Sequence, residues 1–243
     1  MVLLAYLRMV VLIILLIISV AVLHIVSFFA GYQLQRGFKF RRFFIRMTKW
    51  ICNIQVEETG NPKVPNALYV CNHRMMMDPV VLLAHCEAII VSKAEVANYP
   101  VLGNGTKNVG VIFVQRDNQS SRHSIKEKIG ELLQSGQSIA VFPEGTVNTL
   151  PLTGDFKKGS FEEAAIFQKP VIPVALDYKN TKVYWESNTS LLSHFVDIFS
   201  HIRVEAKIHF GDPIYGDDPL ELLDISKQKI DQFLLEMRHS WAN

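Results

Sequence analysis

Ala67-Leu68-Tyr69-Val70-Cys71-Asn72-His73-Arg74-Met75-Met76-Met77-Asp78-Pro79-Val80-Val81-Leu82-Leu83 is the stretch from which the fold of this chain is read. Residues 67–70 form a short apolar run with the character of a buried strand. The apolar residues after Met77 open a helix, expected over 79–86, with Asp78 as its cap and Pro79 at its first position. Between strand and helix, His73 and Asp78 stand five residues apart on a turn. General base catalysis needs such a pair: an imidazole takes a proton, while a carboxylate fixes its tautomer and steadies the imidazolium that forms. The adjacent helix N-terminus disfavours the imidazolium and keeps the base neutral at rest. An Asp-Pro helix start is also ordinary structure, and the two readings are compatible. One carboxylate oxygen can cap while the other accepts the ring N–H.

Downstream of this unit the chain alternates strand and helix. Strands are expected at 88–92, 109–114, 138–142, 171–176, 182–185 and 202–210. Helices are expected at 120–134 and 156–167, with an apolar irregular or helical segment at 190–200. A closing helix runs from 219 to about 239, capped by Asp218, and Leu222, Leu223, Ile230, Phe233, Leu234 and Met237 form its buried stripe. The alternation predicts an α/β layered domain with a mixed, largely parallel central sheet flanked by helices. Upstream, residues 53–66 read as a polar connection containing Gly60, Pro62 and Pro65.

The N-terminal part is of another kind. Residues 9–30 contain no Asp, Glu, Lys or Arg and are interrupted only by Ser19, His24 and Ser27. As a helix, such a run is about as long as the ~30 Å bilayer core. It lacks a small-residue cleavage site, so it reads as a retained membrane-embedded helix, either spanning or lying in one leaflet. Residues 36–52 interleave Arg and Lys with Phe38, Phe40, Phe43, Phe44, Met47, Trp50 and Ile51, a pattern suited to the headgroup layer of anionic lipid or to packing on the domain. The expected division is therefore 1–52, membrane and interfacial helices, and 53–243, the globular domain.

The formal net charge of +2 hides an asymmetry. All 23 acids lie at Glu57 or later, which leaves residues 57–243 with 18 cations against 23 acids. A mildly acidic globular part excludes a nucleic-acid footprint. Six cations directly after the apolar run, against Arg8 before it, place the globular part in the cytoplasm by the positive-inside rule. Cys52, Cys71 and Cys86 are odd in number and lack C-x-x-C spacing, which indicates neither a disulfide framework nor a zinc site. The sequons at Asn104, Asn118 and Asn188 would be silent on a cytoplasmic face.

Two further stretches could carry chemistry. Phe142-Pro143-Glu144-Gly145-Thr146 follows a strand, and ligands collect beyond the carboxyl ends of strands in open α/β sheets. Glu144 and Thr146 could hold an alcohol or phosphate there, and Gly145 could bring a backbone N–H to a developing oxyanion. Val111-Ile112-Phe113-Val114-Gln115-Arg116 is a strand ending in Arg, a residue suited to bidentate phosphate binding. Lys157 and Lys158 precede a helix start and could add attraction for an anion. There is no G-x-S-x-G elbow, no H-E-x-x-H and no P-loop.

Taken together and in order, N-H-x4-D, F-V-Q-R, F-P-E-G-T and V-I-P-V resemble the glycerolipid acyltransferase family, most nearly its bacterial 1-acyl-glycerol-3-phosphate acyltransferases, over roughly residues 65–180. The resemblance implies a single step without an acyl-enzyme. His73 deprotonates the free glycerol hydroxyl, Asp78 orients His73, and the alkoxide attacks the thioester of acyl-CoA or acyl carrier protein. It further implies that Arg116 holds the acceptor phosphate, that Glu144, Gly145 and Thr146 shape the acceptor site, and that Lys157 and Lys158 add phosphate contacts. No metal or cofactor is implied, because a thioester is already activated.

Three features depart from the family pattern. Val147 and Asn148 stand where Arg then Ser are usual. Arg74 and three Met fill the x4, an apolar strip suited to an acyl chain. Lys93-Ala94-Glu95-Val96 with Tyr99-Pro100 resembles members that acylate lyso-ornithine lipid. The expected function is thus esterification of lysophosphatidic acid to phosphatidic acid, with another lysolipid or a catalytically silent lipid-binding scaffold as alternatives.

Overall fold

The computed structural model describes residues 1–94, 107–115, 119–186 and 188–242. Among these, seven strands form one sheet in the order β1-β7-β6-β2-β5-β3-β4. The strands are β1 (Ile54–Gly60), β2 (Leu68–Cys71), β3 (Ile89–Lys93), β4 (Val111–Val114), β5 (Ile139–Val141), β6 (Val171–Tyr178) and β7 (Val204–Phe210). Only β6 and β7 pair antiparallel; every other neighbouring pair is parallel. The helices are α1 (Val2–Ala30), α2 (Leu34–Ile51), α3 (Asp78–His85), α4 (Gln119–Gln134), α5 (Gly159–Ile166), α6 (Leu191–Ser200) and α7 (Pro219–Ala242).

Both faces of the sheet are covered, which is why its central strands β6, β2 and β5 are buried at every position rather than alternating. β2 is buried throughout; Leu68 and Val70 enter one core, Tyr69 and Cys71 the other. The first core contains Leu133 of α4, Phe161 of α5 and Ile230 and Leu234 of α7; the second contains Val81 and Leu82 of α3, Ile198 of α6 and Ala5 and Leu12 of α1. α7 carries the expected stripe, with Leu222, Ile230, Leu234 and Met237 buried, and the Asp218 carboxylate accepts from the Leu220 N–H at 2.8 Å.

Two sequence expectations are corrected. Residues 54–60 are an edge strand, not a connection: Ile54 is buried, but Glu57 to Gly60 are exposed, so the alternation that marks a half-buried strand is missing. Residues 182–185 are not a strand. Thr181–Val183 is a single 3-10 turn, capped by the Asn180 side chain accepting from the Lys182 N–H.

The N-terminal helices are fastened to the domain. Arg8, almost fully buried, donates to the carbonyls of Phe199 (2.8 Å) and His201 (2.5 Å) at the end of α6. There a guanidinium meets the unpaired carbonyls of a helix C-terminus. In α2, Gly37 lets the helix touch the Asn108 carbonyl, since a Cβ there would lie 1.8 Å from that oxygen. Arg41 then donates to the carbonyls of Ala88 (2.9 Å) and Val109 (3.0 Å). Lys39, Arg42, Phe43, Arg46 and Trp50 remain on the outer face of α2. α1 is long and apolar enough to cross a membrane, and Ile13, Ile14, Ile17, Ile18, Ile25, Phe28 and Phe29 are exposed along it.

Candidate active site

The site is built where β2 and β5 end side by side in a parallel sheet, so that both following turns face one rim. The side chain of Asn72 continues the β2–β6 ladder by one step. Its amide nitrogen donates to the Leu176 carbonyl and its oxygen accepts from the Leu176 N–H, each at 2.8 Å. This pins the backbone immediately before His73.

His73 and Asp78 are brought together as the spacing predicts. The His73 Nδ1–H donates to Asp78 Oδ2 at 2.7 Å. The carboxylate can only accept, so this bond fixes the neutral tautomer and leaves Nε2 with a free lone pair. The His73 ring stacks on Phe142 with centroids 4.3 Å apart. Its side chain is 14% exposed, whereas Asp78 is 0% exposed. The imidazole thus reaches solvent while the carboxylate does not.

The manner in which Asp78 is held differs from the expectation. Met77 occupies the cap position and Asp78 is the first residue of α3; no side chain caps the helix. The carboxylate turns back instead, and Oδ2 accepts from the backbone N–H of Arg74 (2.5 Å) and of Met75 (2.9 Å) as well as from the imidazole. Its other oxygen accepts from the Tyr178 hydroxyl at 2.7 Å. The turn 73–78 therefore wraps around its own acid, and capping loses because both oxygens are already engaged.

Glu144, 6% exposed, is a clamp between the two turns. Oε1 accepts from the His73 backbone N–H at 3.0 Å; Oε2 accepts from Asn148 Nδ2 and the Gly154 N–H, each at 2.8 Å. Gly145 has φ near +71°, which favours glycine, and its N–H donates to the Phe142 carbonyl at 3.0 Å, closing the turn. That N–H is committed to the turn rather than to an oxyanion. Thr146 is exposed beside it. Lys157 lies across this turn: a Cβ on Gly145 would fall 2.6 Å from its ammonium nitrogen. The Lys158 ammonium is instead drawn 3.1 Å from Glu162 along α5. Arg116, Glu95, Val96, Tyr99 and Pro100 lie outside the described residues.

Two of the three methionines of the strip do not line an open groove, while Met76 is half-buried. Met75 and Met77 are buried in the core, at 0% and 5% exposure. Arg74 is also wholly buried, and its guanidinium donates to the carbonyls of Asn148, Leu150 and Pro151, holding the loop after Thr146. The Asp177 carboxylate lies 3.9 Å from it, and Arg238 of α7 donates to the same acid at 2.8 Å. On the other side of the turn, His194 of α6 accepts from the Met76 N–H at 3.4 Å and stacks on Trp185. Burial pushes its pKa down to about 4, so it stays neutral.

Sequence reasoning missed Tyr178, His194, Asp177 and Arg238. Tyr178 stands 100 positions from the acid it touches, and no local spacing signals such a contact. Asn148 was noted only as a departure from a pattern, yet it joins Glu144 to the 150–154 loop through Nδ2 and to the Leu150 N–H through Oδ1.

Known proteins resemble this chain in sequence and in fold. A 1-acyl-sn-glycerol-3-phosphate acyltransferase of Borreliella burgdorferi is 29% identical over 164 residues, 65% of this chain and 64% of that protein. A lyso-ornithine lipid O-acyltransferase of Brucella abortus is 25% identical over 205 residues, 75% of this chain and 76% of that protein. The chain spans a smaller part, 44%, of the chloroplastic 1-acyl-sn-glycerol-3-phosphate acyltransferase of Arabidopsis thaliana, with 30% identity. The crystal structure of the 1-acyl-sn-glycerophosphate (LPA) acyltransferase PlsC from Thermotoga maritima superposes with a TM-score of 0.65 over 95% of this chain and 98% of that one, at 19% identity, and so shares its fold. The sequence profile described as Acyltransferase matches residues 53–177, which run from β1 through the turns after β2 and β5 to β6, and the chain belongs to that family.

Proposed function

We propose that the chain transfers a fatty acyl group from a thioester to the free hydroxyl of a lysolipid, with 1-acyl-glycerol-3-phosphate as the acceptor and phosphatidic acid as the product. The observation that carries this is the His73–Asp78 pair: a ring tied through Nδ1 to a sealed carboxylate, with Nε2 open at the rim. Nε2 takes the hydroxyl proton as the oxygen attacks the thioester carbonyl, forming a C–O bond. Collapse of the tetrahedral adduct breaks the C–S bond, and the departing thiolate recovers the proton from the imidazolium. Protons balance within one turnover, and no residue need be acylated.

The Lys157 ammonium beside Gly145 supports an anionic acceptor, as does the family role carried over to Arg116. The donor in this reading is acyl-CoA or acyl carrier protein. Lyso-ornithine lipid is the second reading, favoured by the Brucella relative, whose match covers a larger share of both chains than the Borreliella one.

In the same reading the protein is bound to the cytoplasmic face of a membrane, with α1 embedded in one leaflet. What supports this is that both α1 and α2 are docked on the same domain. A helix whose first turns are held by Arg8 at α6, and whose successor is held by Gly37 and Arg41, returns to the side it started from.

The test is a matrix of acyl-CoA and acyl carrier protein donors against lysophosphatidic acid and lyso-ornithine lipid, with His73→Ala alongside. The expected result is turnover of lysophosphatidic acid that falls by about 10²–10⁴ in the variant. Undiminished turnover by His73→Ala, or turnover of lyso-ornithine lipid alone, refutes the assigned base or the assigned acceptor respectively.

A further inference from the structure

We propose that Tyr178 is a positioning residue for acyl transfer: its hydroxyl, 2.7 Å from Asp78 Oδ1, fixes the carboxylate plane and sets how strongly Oδ2 draws on the His73 N–H. The inference rests on His73 acting as the base.

A carboxylate torsion is soft and close to two-fold, so packing alone does not decide which oxygen faces the ring. Here Oδ2 collects three donors from the turn itself, His73, Arg74 and Met75. Among the described residues Oδ1 has one, from β6 across the domain. Tyr178 and Asp78 are both buried, at 1% and 0% exposure, so water cannot substitute for that hydroxyl. The phenol keeps its proton and donates it to Asp78, because burial and the neighbouring Asp78 hold its pKa well above the ordinary value.

The other ionisable groups facing the pair are Cys71 from β2, Glu144 from the turn after β5, Asp177 from β6, Arg74 from the turn and His194 from α6. Burial pushes the Cys71 thiol up and His194 down, so both are uncharged near neutral pH, and Arg74 lies opposite Asp177. Tyr178 is thus the group placed to tune the acid from outside its own turn. Each donor on a carboxylate draws off charge and weakens its hold on an imidazolium. Taking the phenol O–H away makes Asp78 more basic, stabilises protonated His73 and leaves less free base at a given pH.

The experiment compares Tyr178→Phe with the parent protein in acyl transfer across pH. A kcat about tenfold lower near neutrality is expected, with acceptor KM unchanged within about twofold. The acid limb of the profile should move up by roughly half to one pH unit, a fraction of what one hydrogen bond to a charged group is worth, because the effect reaches His73 only through Asp78. Replacing Tyr178 with 3-fluorotyrosine keeps the ring and strengthens the donor, and should move the limb the opposite way; this also serves if the phenylalanine variant does not fold. Tyr184→Phe is the control. Tyr184 is buried beside Tyr178 but donates to Asp177, and its loss should leave the limb in place. A Tyr178→Phe limb and kcat matching the parent, or an equal limb shift in Tyr184→Phe, overturns the proposal. His73→Ala separates the two levels: if it is inactive while Tyr178→Phe is normal, the positioning role alone fails, whereas an active His73→Ala removes the base itself.

Discussion

Replacing Glu144 by Gln keeps shape and removes only charge and one acceptor, and the surrounding bonds determine what this costs. The carboxylate meets three donors, the His73 N–H on one oxygen and Asn148 Nδ2 with the Gly154 N–H on the other. A glutamine has one acceptor oxygen and one donor nitrogen, so one side must face N–H against N–H. The cheaper arrangement keeps the oxygen toward Asn148 and Gly154 and turns the amide nitrogen on His73. Asn148 cannot flip to relieve the other arrangement, because its nitrogen also donates to the Leu152 carbonyl and its oxygen accepts from the Leu150 N–H. One charge-assisted hydrogen bond is lost, about 1.5–3 kcal/mol, and a buried donor is left unpaired, about 1–3 kcal/mol. Glu144→Gln should therefore lose about 3–5 kcal/mol in urea unfolding. The His73 backbone is the group released, so kcat should fall by about 10- to 100-fold with acceptor KM little changed. A variant as stable as the parent whose only defect is a raised acceptor KM would show that Glu144 serves the acceptor directly and that the clamp argument is wrong.

Gly37→Ala should destabilise the protein by about 2–4 kcal/mol although alanine is the better helix former by about 1 kcal/mol, because the new Cβ would lie 1.8 Å from the Asn108 carbonyl oxygen and separating the helix breaks both Arg41 bonds. Gly159→Ala, where nothing lies within 4 Å of the added Cβ, should be neutral or mildly stabilising in the same unfolding assay. His194 has a depressed folded-state pKa of about 4 against an ordinary value near 6.5, so its contribution to stability is full above pH 6.5 and is lost as pH falls toward 4. His194→Gln should flatten that part of the stability–pH curve, and an unchanged curve would exclude the buried neutral ring as its cause. For α1, single cysteines at Leu3 and Phe29 should both be labelled from the cytoplasmic side of sealed vesicles if the helix lies in one leaflet; labelling of Leu3 only from the opposite side would establish a span.

Two local features of the chain carried most of its interpretation. The five-residue spacing of His73 and Asp78 puts them within one turn, so their meeting needs no tertiary information, and they do meet at 2.7 Å. The α7 stripe and its Asp218 cap are likewise local, since a 3.6-residue period and a capping carboxylate act over one or two turns. Reading failed where local signals are weak. β1 is an exposed edge, pairing only with β7, and so lacks apolar alternation. Val183, Tyr184 and Trp185 are β-branched and aromatic, but Val183 is buried from a 3-10 turn and Tyr184 from just after it instead of from a strand.

The amino-acid order by itself determined the α/β class, the apolar N-terminal helix with basic residues behind it, and the pairing of one imidazole with one acid, because each of these is a matter of periodicity or short spacing. Tertiary structure alone decided how that acid is held. Tyr178, 100 residues distant, reaches Asp78 because β6 lies next to β2, and Glu144 reaches His73 because β5 lies on the other side. It also decided that Met75 and Met77 belong to the core and that Arg8 is sunk into the end of α6. Contacts between strands are set by sheet order, and sheet order is fixed by burying two apolar faces at once, which no single segment of the chain records.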